Sequence, residues 1–253
     1  MAQDPFHYVG TELDVFSEAH NWRAYWTGMV RPLLGRTVLE VGAGIGSATR
    51  SLWTPAVAHW LALEPDDALS DRLRRTVAEM NAPTIEVRSA TVAELPAEET
   101  FDTALYIDVL EHIDGDLEEV ARVAQHIRPG GHIVVLAPAH QWLFTPFDKA
   151  LGHFRRYDRR SLGRLTPDGF SMLALRYLDS VGMLASLGNR LVLRSAAPTP
   201  AQIALWDGRM VPLSRRLDGL LRFRCGKSIL GVWQKLEETG TRSGRTTRAV
   251  PGA

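Results

Sequence analysis

Between Thr37 and Ala137 the chain alternates between two hydrophobic periods, and this alternation limits its fold more than any other feature. Five short apolar runs read as strands: Thr37–Val41, His59–Leu63, Thr84–Arg88, Phe101–Ile107 and His132–Ala137. Ala48–Trp53, Asp67–Met80 and Gly115–Ile127 lie between them and repeat with the helical period. Strands alternating with helices at this spacing build βαβ units and hence a parallel sheet. Ile133-Val134-Val135-Leu136 is apolar at every position, as a strand covered on both faces requires. Residues 36–138 therefore read as an open, doubly wound α/β core.

The flanks read differently. Residues 11–34 carry a broad apolar face (Phe16, Ala19, Trp22, Ala24, Trp26, Met29 and Val30) closed by Pro32, so residues 1–35 are expected to form an N-terminal helical cap. Residues 139–160 are rich in aromatics and arginine and read as a structured loop. Ser161–Asp168 reads as a short helix with Ser161 as its N-cap, and Phe170–Leu178 as a sixth strand. Residues 182–224 hold helical pieces broken by Pro198, Pro200 and Pro212, and Ser228–Leu236 is a last strand. Residues 139–236 are thus expected to supply a lid, a helical insertion and the last strands of the sheet. Residues 237–253, mostly Gly, Thr, Arg and Ser, read as a disordered tail.

At 253 residues the chain can bury a sizeable core. Its one cysteine, Cys225, excludes an intrachain disulfide. No basic-then-apolar leader opens the sequence, and no run reaches the roughly 18–20 apolar residues of a membrane span. A cytoplasmic protein with no membrane partner is expected. Lys plus Arg number 29, as do Asp plus Glu, and a dedicated nucleic-acid binder would carry a basic excess. The balance conceals a division: residues 1–150 hold 11 basic and 22 acidic side chains, residues 151–253 hold 18 and 7.

The chemistry concentrates at Val38-Leu39-Glu40-Val41-Gly42-Ala43-Gly44-Ile45-Gly46-Ser47, a strand running through a glycine-rich turn into a helix. Such glycines let a ligand approach the backbone beyond the carboxyl end of the strand. Glu64 ends the second strand, 20 residues beyond Gly44, where an acid accepts hydrogen bonds from ribose hydroxyls. Two nucleoside cofactors fit this geometry. The dinucleotide fingerprint calls for glycine or alanine where this chain has Ser47.

With these residues the chain resembles the class I S-adenosylmethionine-dependent methyltransferases, among them a bacterial small-molecule subgroup. The resemblance rests on Val38–Gly46, Ala62-Leu63-Glu64-Pro65-Asp66, Ser89-Ala90-Thr91, Ile107-Asp108-Val109-Leu110-Glu111-His112-Ile113 and Arg128-Pro129-Gly130-Gly131, in that order. It implies a Rossmann-like, mostly parallel seven-stranded sheet with S-adenosyl-L-methionine as cofactor and S-adenosyl-L-homocysteine as product. It implies that Glu40 meets the methionine amino group, that Gly42, Gly44 and Gly46 let the methionine part lie on the backbone, and that Glu64 and Pro65 hold the ribose. Ala90 and Thr91 flank the adenine, and Asp108 and Val109 line the pocket under the sulfonium. Where that family often has an acid beside the adenine, this chain has Ser89.

The reaction is an in-line displacement in which the protein supplies approach geometry and excludes water. An acceptor bearing a proton also needs a base. His112, His140, Asp108 and Tyr157 are the candidates. Trp26, Trp142, Phe144, His153 and Tyr157 are candidates for the acceptor pocket, and Tyr8 and Trp22 for closing over the cofactor. His153 and Tyr157 belong to Gly152-His153-Phe154-Arg155-Arg156-Tyr157, a segment that recurs in the bacterial subgroup. The arginines Arg155–Arg160 read as a salt-bridged stretch facing the acidic half rather than as a nucleic-acid patch. The eight histidines show no metal-ligand spacing. The expected partner is a small-molecule acceptor with an aromatic or amphipathic body, with no nucleic acid. An RNA or protein acceptor, a nicotinamide-dependent oxidoreductase and a non-catalytic cofactor binder are the alternatives.

Overall fold

A computed structural model describes residues 18–188 and 199–237; Tyr8, Pro198 and, of the tail expected to be disordered, residues 238–253 lie outside them. The strands are β1 (Thr37–Val41), β2 (His59–Leu63), β3 (Ile85–Arg88), β4 (Phe101–Ile107), β5 (Ile127–Pro138), β6 (Phe170–Leu178) and β7 (Ser228–Lys235). They form one seven-stranded sheet in the order β3-β2-β1-β4-β5-β7-β6. The first five pair in parallel, and β7 inserts antiparallel between β5 and β6. The order reverses at β1, so the carboxyl ends of β1 and β4 flank the switch point where this architecture places ligands.

The helices are α1 (His20–Val30), α2 (Ser47–Leu52), α3 (Asp67–Met80), α4 (Asp116–Gln125), α5 (Pro146–Ala150), α6 (Arg159–Gly163), α7 (Ser180–Gly188), α8 (Pro200–Leu205) and α9 (Val211–Leu220). Period-2 alternation sends neighbouring strand residues to opposite faces. Leu39, Leu61, Tyr106, Ile133 and Val135 pack on one face with Val120 and Val123 of α4. Val38, Trp60, Leu105, Val134 and Leu136 pack on the other with Trp22, Tyr25, Trp26 and Val30 of α1 and with Ile203, Trp206 and Val211. Each such large side chain contributes roughly 1.5–3 kcal/mol by leaving water.

Three expectations need correction. The fifth strand begins at Ile127, not His132, because a register shift between Phe101 and Thr103 absorbs the Pro129-Gly130-Gly131 stretch within the ladder. Asp158 rather than Ser161 caps α6, accepting from the N–H groups of Arg160 (2.8 Å) and Ser161 (2.7 Å), while Ser161 Oγ accepts from the Asp158 N–H. Pro212 does not end the helical run: it sits in the first turn of α9, directly after a π-helical turn at Trp206–Met210 that joins α8 to α9. No helix among the described residues is long and apolar enough to cross a membrane.

Candidate functional site

The turn after β1 has Gly42, Gly44 and Gly46 at φ of 65, 57 and 86°, in the left-handed region that side chains resist. Gly42 is also constrained by space, since a Cβ there would lie 2.7 Å from Val109 Cγ1. The loop is pinned to β2 by Glu64, which is 4 % exposed. The Gly44 N–H donates to Glu64 Oε2 at 2.8 Å and the Asp66 N–H to Oε1 at 3.0 Å. Burial pushes the Glu64 carboxyl up, and these two bonds oppose it. Each oxygen keeps a lone pair for another donor. Beneath the loop, Glu40 accepts from Thr49 Oγ1 (2.7 Å) and Trp60 Nε1 (2.9 Å). Its burial pushes the carboxyl up to about 7.

Pro65 follows Glu64 and is half-buried, and Ala90 is buried beyond β3. Thr91 spends its N–H and hydroxyl on Glu94, at 2.7 and 3.0 Å. Ser89 donates to Ser70 Oγ at 2.8 Å and accepts from Arg74 at 3.0 Å.

Asp108 follows β4 with φ of 54°, its N–H donating to the Leu136 carbonyl at 2.8 Å. Strain of this kind in a non-glycine residue clusters at functional sites. Its side chain opens to solvent but is walled by protein mass, which pushes the carboxyl up against the pull of His153 and Lys227. A single 3₁₀ turn, Leu110–His112, follows. Within it Glu111 is 1 % exposed, and its Oε2 has no hydrogen-bond partner among the described residues. Burial, and then the nearby His153, lower His112 to about 4 against a backbone hydrogen bond at Leu151. The His112 and His153 rings meet edge to face, with centroids 4.5 Å apart.

The segment from Gly152 to Tyr157 is stapled onto this turn. The Phe154 N–H donates to the Glu111 carbonyl (2.8 Å). His153 Nδ1 lies 3.2 Å from Asp148 Oδ1, and Arg156 Nη2 lies 2.7 Å from the same oxygen. Burial alone would raise Asp148, but His153, Arg156 and Thr145 outweigh it and hold the carboxyl down at about 2. Arg155 pairs with Asp114 at 3.0 Å and Asp116 at 2.7 Å. Arg155 and Arg156 are therefore bound to acids of the first 150 residues, which accounts for part of the charge division.

The proposed base and pocket residues separate on this frame. Asp108, His112 and His153 gather at the turn after β4. Tyr157 does not line a pocket: it is 1 % exposed, and its hydroxyl donates to Asp116 Oδ2 at 2.8 Å. Burial and then Asp116 push the phenol far up. His140, at φ 66°, stacks on Tyr177 with centroids 4.6 Å apart, and its buried Nε2 has no partner among the described residues. Trp142 is 48 % exposed beside it, and Phe144 is half-buried. Trp22 and Trp26 belong to the core of the second face: Trp22 packs 5.9 Å from Trp206 and its N–H donates to Asp207 Oδ1 at 2.8 Å. Packing accounts for both, because the apolar stripe of α1 faces the sheet.

Sequence reasoning passed over Glu111, Asp148 and a second polar cluster after β6. There Asp179, fully buried at φ 66°, accepts from Trp206 Nε1 (2.7 Å) and Ser214 Oγ (2.7 Å) and lies 3.7 Å from Lys227 Nζ. Lys227 Nζ sits 3.7 Å above the Trp206 ring. Only Asp148 had a local signal, the Thr145-Pro146-Phe147-Asp148 capping box.

A methyltransferase-domain family model matches residues 17–169, more than half of the chain. The chain is a methyltransferase of that family. Its cofactor is S-adenosyl-L-methionine, and its seven-stranded, mostly parallel sheet is the one expected from the sequence. Among curated proteins it is similar to a tRNA U34 carboxymethyltransferase of Pseudoalteromonas translucida (strain TAC 125), 26% identical over 136 residues, 52% of this chain and 41% of that protein. The methyltransferase thus matches less than half the length of that relative. Among solved structures it resembles the cyclase SpnF (TM-score 0.57, 14% identity, 90% of this chain and 95% of that one). It also resembles a coclaurine N-methyltransferase bound to N-methylheliamine and S-adenosylhomocysteine (TM-score 0.56, 13% identity, 84% and 72%). At these identities the structural likenesses establish the fold, and the reaction rests on the family.

Proposed function

We propose that the methyltransferase acts on a small-molecule acceptor bound at the turn after β4, with Asp108 taking the acceptor proton. The observation that carries this reading is the make-up of that turn. Asp108 places a carboxyl group where the acceptor would arrive, while Arg155 and Arg156 are occupied by Asp114, Asp116 and Asp148. An exposed acid there, with the neighbouring arginines already paired, disfavours a polyanion. Half-exposed aromatics such as Trp142 and Phe154 suit an acceptor with an aromatic or amphipathic body.

Glu64 would hold the ribose, since each of its oxygens has a remaining lone pair. The three glycines would leave room for the methionine part, and Glu40 beneath them would attract its ammonium. Asp108 and Val109 would close the pocket from the β4 side. The cofactor supplies a methyl group on a positively charged sulfur. The protein's part is to hold the acceptor in line and to accept its proton at a carboxylate oxygen of Asp108.

Calorimetric titration with S-adenosylhomocysteine should show one site per chain, and mass spectrometry of an acceptor library should show a gain of one methyl. Asp108→Asn should abolish that gain in a chain that still melts cooperatively. Full activity of this variant would remove Asp108 as the base. A second reading, an RNA acceptor, draws on the tRNA-modifying relatives. Label from methyl-labelled cofactor entering total tRNA, with none entering the small-molecule fraction, would replace the first reading by the second.

A further inference from the structure

Glu111, His112 and His153 raise a question that cofactor binding does not answer. One ring nitrogen from each histidine and one carboxylate oxygen from Glu111 lie within 4.8 Å of one another. Glu111 is buried in a fully folded turn, yet its Oε2 meets no donor among the described residues. Burying a carboxylate oxygen without a partner is costly, so a group that persists this way usually has a ligand.

The surroundings are those of metal-binding histidines, whose second nitrogen is generally fixed by a carboxylate or a backbone carbonyl. His153 Nδ1 lies against Asp148 Oδ1 at 3.2 Å. Asp148 is itself fixed by Arg156 Nε at 2.9 Å and by Thr145 Oγ1 and N–H, both at 2.7 Å. His112 is held by a backbone hydrogen bond at Leu151. Gly152, at φ 83°, makes the turn that brings the two rings together, and the backbone bond from Phe154 to Glu111 fixes the loop against the 3₁₀ turn. Two imidazoles and one carboxylate suit a divalent first-row transition ion and fall short of the all-oxygen shells of calcium and magnesium.

We propose that Glu111, His112 and His153 form a binding site for one divalent transition-metal ion, with Asp148 positioning His153. Sequence spacing hides it, because 41 residues separate the two histidines. The site adjoins Asp108, whose charge acts on both Glu111 and His153. An ion there would face the acceptor side, a consequence that rests on the proposed function, whereas binding itself does not.

The test uses the full chain, stripped with a chelator and titrated with Co²⁺ and with Zn²⁺. Visible d–d absorption should rise to one Co²⁺ per chain, and Zn²⁺ should displace it. Glu111→Gln and His153→Gln should each weaken Co²⁺ binding by roughly a hundredfold or more, and Asp148→Asn by about 10–100-fold. Circular dichroism and a cooperative melt establish that each variant is folded. The proposal fails if the stripped protein binds no Co²⁺, or if folded Glu111→Gln and His153→Gln bind it as the wild type does. S-adenosylhomocysteine titrated into the same stripped protein separates the two readings. Loss of Co²⁺ binding alone overturns the metal site, and loss of S-adenosylhomocysteine binding alone overturns the reading of the glycine turn.

Discussion

The glycine turn after β1 and the 3₁₀ turn after β4 lie side by side on the carboxyl edge of the sheet, and both bury carboxylates. They satisfy them differently. Glu64 receives two backbone N–H groups and Glu40 a hydroxyl and an indole N–H, whereas Glu111 Oε2 receives nothing from the described residues. The first turn is complete as folded, its acids hydrogen-bonded around a preset backbone. The second has a well-braced periphery (Asp148, Arg156, Thr145) around an unsatisfied centre. A folded chain tolerates an unsatisfied centre when binding something there matters more than stability.

The largest expected difference concerns Glu40. Burial raises its carboxyl to about 7 in the folded chain, from an unfolded value near 4.5. Below the unfolded value both states are protonated and the contribution to stability is fully present. It is lost as pH rises through the folded value, by on the order of 3 kcal/mol. Urea unfolding at pH 5 and pH 8 should therefore show wild type losing more stability on alkalinisation than Glu40→Gln. Equal losses would mean that Glu40 is ionised in the folded state at both pH values.

Next is Glu64→Ala. Loss of a charged acceptor for the ribose hydroxyls should weaken S-adenosylhomocysteine binding by about 1.5–3 kcal/mol, roughly ten- to 150-fold by calorimetry. Unchanged affinity would detach Glu64 from the cofactor and reduce it to a brace for Gly44 and Asp66. Glu111→Gln should act in the opposite sense on the metal-stripped protein. Replacing a buried carboxyl group whose Oε2 meets no donor among the described residues should stabilise it by about 1–2 kcal/mol, a rise of several degrees in Tm. A fall in Tm would show that Glu111 already has a partner and would erase the contrast between the turns.

The two turns were unequally legible in the sequence for the same physical reason. The glycine turn is written locally: Gly42, Gly44 and Gly46 occupy five residues, and Glu64 follows at the end of the next strand. Strand and helix periods fixed the core, because continuous apolar runs have few other uses. The second turn depends on contacts across 36 to 43 residues, Glu111 to Phe154 and His112 to Asp148 through His153, which no local period encodes. The Asp179–Trp206–Lys227 cluster is assembled over a still longer span. Aromatic residues were the most ambiguous signal, since a stripe such as Trp22, Tyr25 and Trp26 has the same spacing whether it faces a ligand or a sheet. The start of β5 was missed because Pro129-Gly130-Gly131 has the composition of a turn, and only its pairing with β4 shows it to be a bulged strand.

Tyr157 gives the smallest effect and the most direct check on how the second turn is braced. Its hydroxyl donates to Asp116 Oδ2 at 2.8 Å and also lies 3.2 Å from the Leu110 carbonyl, but it has one proton to give. In Tyr157→Phe, Asp116 keeps Arg155 at 2.7 Å, so no charge is left unpaired. The ring still fills its place in the core with Leu110 and Leu162. The cost should be that of one hydrogen bond, about 1 kcal/mol, or roughly 2–4 °C in Tm. Turnover, once an acceptor is known, should stay within about twofold of wild type, because a phenol bonded to Asp116 in the core has no path to the reacting atoms. A large fall in turnover with this small fall in Tm would mean that Tyr157 leaves the core during the reaction, and the second turn would then be a moving part instead of a braced one.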